Sequence, residues 1–242
     1  MTRMGHDAHV SARPRRLAAV LAAGALAAAI AFAAATGEAG AAPKTIVLGA
    51  AAPANPSCPE SCQAIGKTTG FQSAIGKTKS PFAAPFPGRI VAWSIKLSRP
   101  STKQVEFFED FFEGTAQAGV SVLKPIMKKI KAGKPVYKLK GQTPLEQLGP
   151  FFGTTTTFAL QDPLKVKEGQ IVALTVPTWA PAFAVGLGGD TAWQASRKRT
   201  KCNKATDIQA GRAQQGLGSD RTYGCVYKTA RLLYSATVVA RP

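Results

Sequence analysis

Three stretches of this 242-residue chain carry residue types that could do chemistry: Cys58 to Cys62, Glu106 to Glu113, and Arg197 to Lys204. The first places two cysteines four residues apart. A redox dithiol needs two intervening residues and a βαβ context, and neither is present, so a structural disulfide is the expected use. The second alternates Phe107, Phe108, Phe111 and Phe112 with Glu106, Glu109, Asp110 and Glu113. Two carboxylates at a set separation could hydrolyse a glycoside. As a short helix, however, the segment lines the phenylalanines along one side and sets Glu109 and Glu113 four apart on the other, a solvated face over an aromatic flap. The third stretch holds Arg197, Lys198, Arg199, Lys201 and Lys204 around Cys202 and is the natural contact for an anion.

Other motifs dissolve on inspection. Ala64 to Thr68 and Ala74 to Thr78 repeat Ala-Ile-Gly-Lys-Thr, whose last three residues end a phosphate-binding P-loop. That loop needs a glycine five residues before the Gly-Lys pair, and Ser61 and Phe71 stand there instead. Two short neighbouring strands with glycine turns are expected. Gly186, Gly188 and Gly189 lack the third spacing of a dinucleotide loop and precede no helix. Asp162, Glu168, Asp190 and Asp207 could supply oxygens to calcium, but no two fall at loop-ligand spacing. No catalytic residue, metal ligand set or cofactor is therefore expected.

The first 42 residues read as a signal peptide. Arg13, Arg15 and Arg16 form a basic region, Leu17 to Ala35 is an uncharged Ala-rich run, and Ala39-Gly40-Ala41 is a small-x-small site, so cleavage is expected near 41/42. An uncleaved anchor is the rival, the run being about bilayer length. With the leader go His6 and His9, so the remainder has no histidine. That excludes Ser-His-Asp and Cys-His nucleophiles, His-bearing zinc sites and histidine pH switches. The leader also holds four of the 31 basic and two of the 13 acidic residues, so 27 and 11 remain, a surplus of +16. Such a field attracts polyanions. The expected partner is an anionic polymer or polysaccharide of the cell envelope, with no specific nucleic acid and no transmembrane span after cleavage.

The elements that must position these groups are strands. Gln170 to Val176 places Val172, Leu174 and Val176 on one face and Ile171 and Ala173 on the other, with Thr175 the only polar side chain, so both faces look covered. This is a central strand. Pro177 and Pro181 then frame Trp179 on a stiff loop, where its ring could stack on a sugar. Arg89 to Leu97 alternates, with Val91, Trp93, Ile95 and Leu97 on one face. Thr102 to Val105 reads as a continuation of that pairing. Lys44 to Gly49 is an edge strand, and Thr154 to Leu160 and Leu164 to Val166 are separate short runs. The polar stretch Ser196 to Ser219 is too long for an unstructured loop in a compact domain. A Cys202–Cys225 bridge, left once Cys58 pairs with Cys62, answers that objection.

Short strands, frequent Gly and Pro and little helical periodicity give an all-β fold: one antiparallel β-sandwich of jelly-roll type over 43–242, with a long disulfide-closed loop. Thr69 to Gln72, Gly88 to Ile95, Val172 to Phe183 and the closing Tyr223 to Tyr227 and Ala230 to Val238 together resemble secreted, disulfide-bearing β-sandwiches exported by bacteria. The resemblance implies fold and compartment, not activity. Three functions are compatible: a binding module using Trp179, Arg197, Lys198, Arg199, Lys201 and Lys204; a structural envelope or matrix component; and a glycan-active enzyme running on carboxylates alone.

Overall fold

The computed structural model describes residues 43–241; the expected signal peptide lies outside the described residues. In chain order the elements are β1 (Thr45–Leu48), β2 (Ile65–Ile75), β3 (Thr78–Lys79), β4 (Gly88–Lys96), α1 (Thr102–Phe112), β5 (Gln117–Pro125), α2 (Met127–Lys131), β6 (Val136–Gln142) and β7 (Glu146–Gln147). There follow β8 (Thr155–Val166), β9 (Ile171–Ala180), β10 (Phe183–Ala184), β11 (Ala192–Ala195), α3 (Ala205–Gln209), β12 (Asp220–Thr222), β13 (Cys225–Lys228), β14 (Arg231–Leu232) and β15 (Tyr234–Ala240). One sheet runs β1-β15-β4-β8; the larger runs β12-β6-β5-β9-β2-β11-β13, with β3 and β7 attached to β2 and β5. Every pairing is antiparallel. The expected all-β, sandwich-like architecture is what forms. Among the described residues no helix is long and apolar enough to cross a membrane.

Strand β9 lies between β5 and β2 in the larger sheet, and its first six residues are all buried. The face bearing Val172, Leu174 and Val176 joins a hydrophobic core that also holds Trp93, Ile95 and Val238 of the smaller sheet. Tyr234 of β15 crosses between the sheets: its hydroxyl donates to the Val172 carbonyl at 2.9 Å, and its ring stacks on Phe82 at 4.1 Å. Both expected bridges are present, Cys58–Cys62 and Cys202–Cys225.

Several local expectations are corrected, each by tertiary pairing. The repeated pentapeptides are not two short strands. The first lies in the long β2 from Ile65 on, bulged at Lys67; the second ends that same strand at Ile75, turns at Gly76 and enters β3 at Thr78. Val91 is not on the core face. Neither β15 nor β8 has a partner for it; the ladder steps from Ile90 to Ala92, so Ile90 takes the buried position and Val91 is half-buried. One inserted residue shifts the alternation that the sequence runs through uninterrupted. Thr154 to Leu160 and Leu164 to Val166 are one strand, β8, spanning an irregularity opposite that bulge.

Thr102 to Val105 is helix rather than strand. Ser101 caps α1, its hydroxyl accepting from the Gln104 N–H, while the Gln104 side chain accepts from the Ser101 N–H at 2.8 Å. This Ser-x-x-Gln box is a start signal readable in sequence, and its reciprocal bonds outweigh the weak strand pattern. Only Phe108 and Phe112 of the four phenylalanines are buried; Phe107 is exposed and stacks on Phe111. Phe112 packs flat on Gly66, where a Cβ would come within 2.4 Å of the ring, so the helix requires a glycine at that point of β2.

Trp93 is fully buried against Phe158, ring centroids 4.8 Å apart, and among the described residues its indole N–H has no partner. Trp93→Ala should cost about 3–5 kcal/mol in urea unfolding. Trp93→Phe should cost clearly less, because it keeps most of the ring and removes an unpaired buried donor. A Trp93→Ala protein as stable as its parent would contradict this packing.

Candidate functional site

The second face of β9 is also buried, and at Thr175 it is polar. Thr175 Oγ1 lies 3.2 Å from Thr69 Oγ1 and 2.6 Å from Ser121 Oγ, a hydroxyl ladder across β2, β9 and β5. Such groups cannot be covered by an apolar layer without leaving hydrogen bonds unmade. The segment 196–221 covers them instead. Ser196 Oγ accepts from the Thr69 N–H, and the Gln214 N–H donates to Thr69 Oγ1, both at 2.9 Å. The Gln214 side chain is almost fully buried. Its amide donates to the Tyr137 and Ser219 carbonyls, and its oxygen accepts from the Tyr223 hydroxyl at 2.8 Å. The Cys202–Cys225 bridge ties this cover to β13.

Folded in this way, the segment walls two adjacent clefts. The larger, about 830 Å³, includes Lys67, Glu113, Gln209, Arg212, Gln215 and Arg221 in its lining. The smaller, about 520 Å³, includes Arg197, Lys198, Lys201, Asp207, Asp220 and Thr222. Ala210, Gly211, Arg212 and Arg221 line both. At Gly211 a Cβ would sit 2.8 Å from the Lys67 carbonyl and 2.9 Å from that of Ile208, so a glycine lets the segment press on the β2 bulge. Lys67 and Glu113 both have left-handed backbone, at φ +49° and +57°, and their side chains meet at 2.7 Å.

The carboxylates in these clefts are all ion-paired. Asp207 lies 3.2 Å from Lys201, and Asp220 lies 2.9 Å from Lys138 and 3.3 Å from Lys129. The Lys67 hydrogen bond and charge hold the Glu113 carboxyl below its ordinary range, and the Lys138 hydrogen bond does the same for Asp220. Both shifts favour the ionised form, opposite to what a general acid needs. Among the described residues no three acidic or cysteine side chains converge as a metal site.

Of the six binding residues expected from sequence, the structure brings Lys198, Arg199, Lys201 and Lys204 together on the exposed surface of one segment. Trp179 is not on a loop. Strand β9 continues through Ala180, so the two prolines frame a strand end, and Trp179 is fully buried beside Phe108 and Phe152 with its N–H donating to the Gly114 carbonyl at 3.0 Å. It cannot stack on a ligand. Arg197 is also buried, at 8% exposure; its guanidinium donates to the Gly66 carbonyl and the Tyr227 hydroxyl. It pins the loop to β2 rather than reaching solvent. Lys67, Arg212 and Arg221 line the clefts without having been singled out. Nothing in the alternation around Lys67 marks a bulge, and Arg221 reaches the site only because β12 pairs with β6.

No protein-family model, curated protein or solved structure matches the chain.

Gln214→Ala leaves the buried Tyr223 hydroxyl without its acceptor, and should cost about 1–3 kcal/mol. Limited proteolysis should then cut within 203–219 while the core persists; an unchanged cleavage pattern would contradict the cover's dependence on Gln214. Burial raises the Tyr223 and Tyr234 phenols well above their ordinary values, and Tyr137 less so. The folded protein keeps these protons to higher pH than the unfolded chain. Their stabilisation is therefore complete below about pH 10 and lost as pH rises through the folded-state values. Tyrosinate absorbance should rise in step with alkaline unfolding, and a simple titration near pH 10 in a still-folded protein would contradict the burial.

Proposed function

We propose that the chain is an exported, non-catalytic binding module for an anionic envelope polymer or acidic glycan. The observation that carries this reading is the single cationic segment, tied down by Cys202–Cys225, that walls two adjoining clefts and exposes Lys198, Arg199, Lys201 and Lys204. Tethering limits the ordering entropy such a loop loses on binding, so more of the electrostatic attraction survives as affinity. The two disulfides suit an oxidising compartment. An enzyme running on carboxylates is disfavoured, because lysines favour the ionised form of Glu113 and Asp220 and Asp207 is paired with Lys201.

Converting Lys198, Arg199, Lys201 and Lys204 to Gln should sharply reduce retention on heparin and on phosphocellulose and flatten its dependence on salt, since exposed charge contacts are screened. The control converts Lys124, Lys128, Lys131 and Lys134, around α2, and should change retention less. If both variants are retained like wild type, the charge is only a solubility device and the structural-component reading replaces this one.

A further inference from the structure

We infer that the two clefts together form a track for a linear, polyhydroxylated polymer, with one of its phosphate or sulfate ester groups seated on Arg212 and Arg221. This deepens the reading of the chain as a polyanion-binding module and rests on it. Arg212 and Arg221 line both clefts, so they stand where a strand passing from one to the other must cross. The Arg221 side chain reaches the backbone of Arg212: its guanidinium donates to the Arg212 carbonyl. Among the described residues, no carboxylate lies within ion-pair distance of either, or of Arg197.

Arg197 makes the site electrostatically incomplete. It lines the smaller cleft while nine-tenths buried; among the described residues its guanidinium has only a carbonyl and a phenol as partners, and its Nε–H has none. Burial lowers its pKa from the ordinary value, reflecting a charge removed from water without a counter-ion. A buried guanidinium lacking an acidic partner raises the potential of the space above it. An anion in that space supplies the missing charge for all three arginines. A phosphate or sulfate ester presents its anionic oxygens tetrahedrally, so that they can face two guanidiniums at once.

The rest of the lining selects the polymer. Among the described residues neither cleft has an aromatic side chain in its lining, whereas single-stranded nucleic acids are held by stacking on aromatic rings. The larger cleft instead presents Thr206, Gln209, Gln215 and Ser219, hydroxyls and amides suited to sugar or polyol oxygens.

The test is calorimetric titration of the folded protein with a defined-length poly(glycerol phosphate), dextran sulfate, inorganic phosphate, and an oligodeoxythymidylate of matched charge. Both ester polymers should bind wild type more tightly than inorganic phosphate or the oligonucleotide. Arg212→Gln should weaken polymer binding and lower the slope of log affinity against log salt by about 1, and Arg212→Gln with Arg221→Gln by about 2. Arg212 donates no side-chain hydrogen bond among the described residues, so its variant tests the site even if Arg221→Gln loosens the loop. If both arginine variants bind like wild type while neutralising Lys198, Arg199, Lys201 and Lys204 abolishes binding, the track is wrong and the module reading stands. If wild type binds none of the polymers, both fall. Equal affinity for the oligonucleotide, or for inorganic phosphate alone, overturns the assignment of polymer class.

Discussion

The two faces of β9 both have to be covered, and by different chemistry. Val172, Leu174 and Val176 need an apolar partner, which the smaller sheet supplies through Trp93 and Ile95. Thr175, with Thr69 and Ser121 beside it, needs hydrogen bonds, and a second sheet presenting only apolar side chains could not give them. Buried hydroxyls left unpaired cost about 1–3 kcal/mol each, enough to erase a large part of a domain's net stability. The polar segment 196–221 therefore serves the fold as directly as a core strand does.

A loop that must hydrogen-bond inward is free to carry charge outward. Ser196, Arg197 and Gln214 turn toward β2, while Lys198, Arg199, Lys201, Lys204 and Arg212 remain at the surface. The larger cleft arises where the cover meets the β2 bulge at Lys67 and the C-terminus of α1 at Glu113. Closing a loop of 23 residues through Cys202–Cys225 contributes about 3 kcal/mol by the chain-entropy argument, which offsets much of the cost of ordering so polar a segment. Structural cover and candidate binding surface are thus the same residues.

The charge distribution around the clefts is uneven in a way that bears on function. Lysines are matched to acids: Lys67 to Glu113, Lys201 to Asp207, Lys129 and Lys138 to Asp220. Arg197 and Arg221 are matched to carbonyls and a phenol instead, and among the described residues Arg212 donates no side-chain hydrogen bond. Exposed lysine pairs contribute little to stability, so their main effect is to cancel local negative charge. Among the described cleft-lining residues, Lys198 and the guanidiniums of Arg197, Arg212 and Arg221 remain uncancelled, and the planar fork of guanidinium fits an oxyanion best.

The residue pattern by itself determined what depends on neighbours along the chain. Alternation marked β9 and most of β4 as covered strands, the four-residue spacing of Cys58 and Cys62 favoured one of three possible pairings, and the lack of any histidine after His9 narrowed the chemistry open to residues 43–242. Only the tertiary structure decided that Val91 is bulged out, that Trp179 ends a strand inside the core, and that Arg197 lies beneath the surface. A bulge has no local signature when the residues on either side alternate normally, since it is set by what the partner strands can pair with. An arginine five residues before a cysteine is equally at home in solvent or under a loop. Its place depends on the Gly66 carbonyl freed at the β2 bulge, 131 residues away, which no local pattern can report.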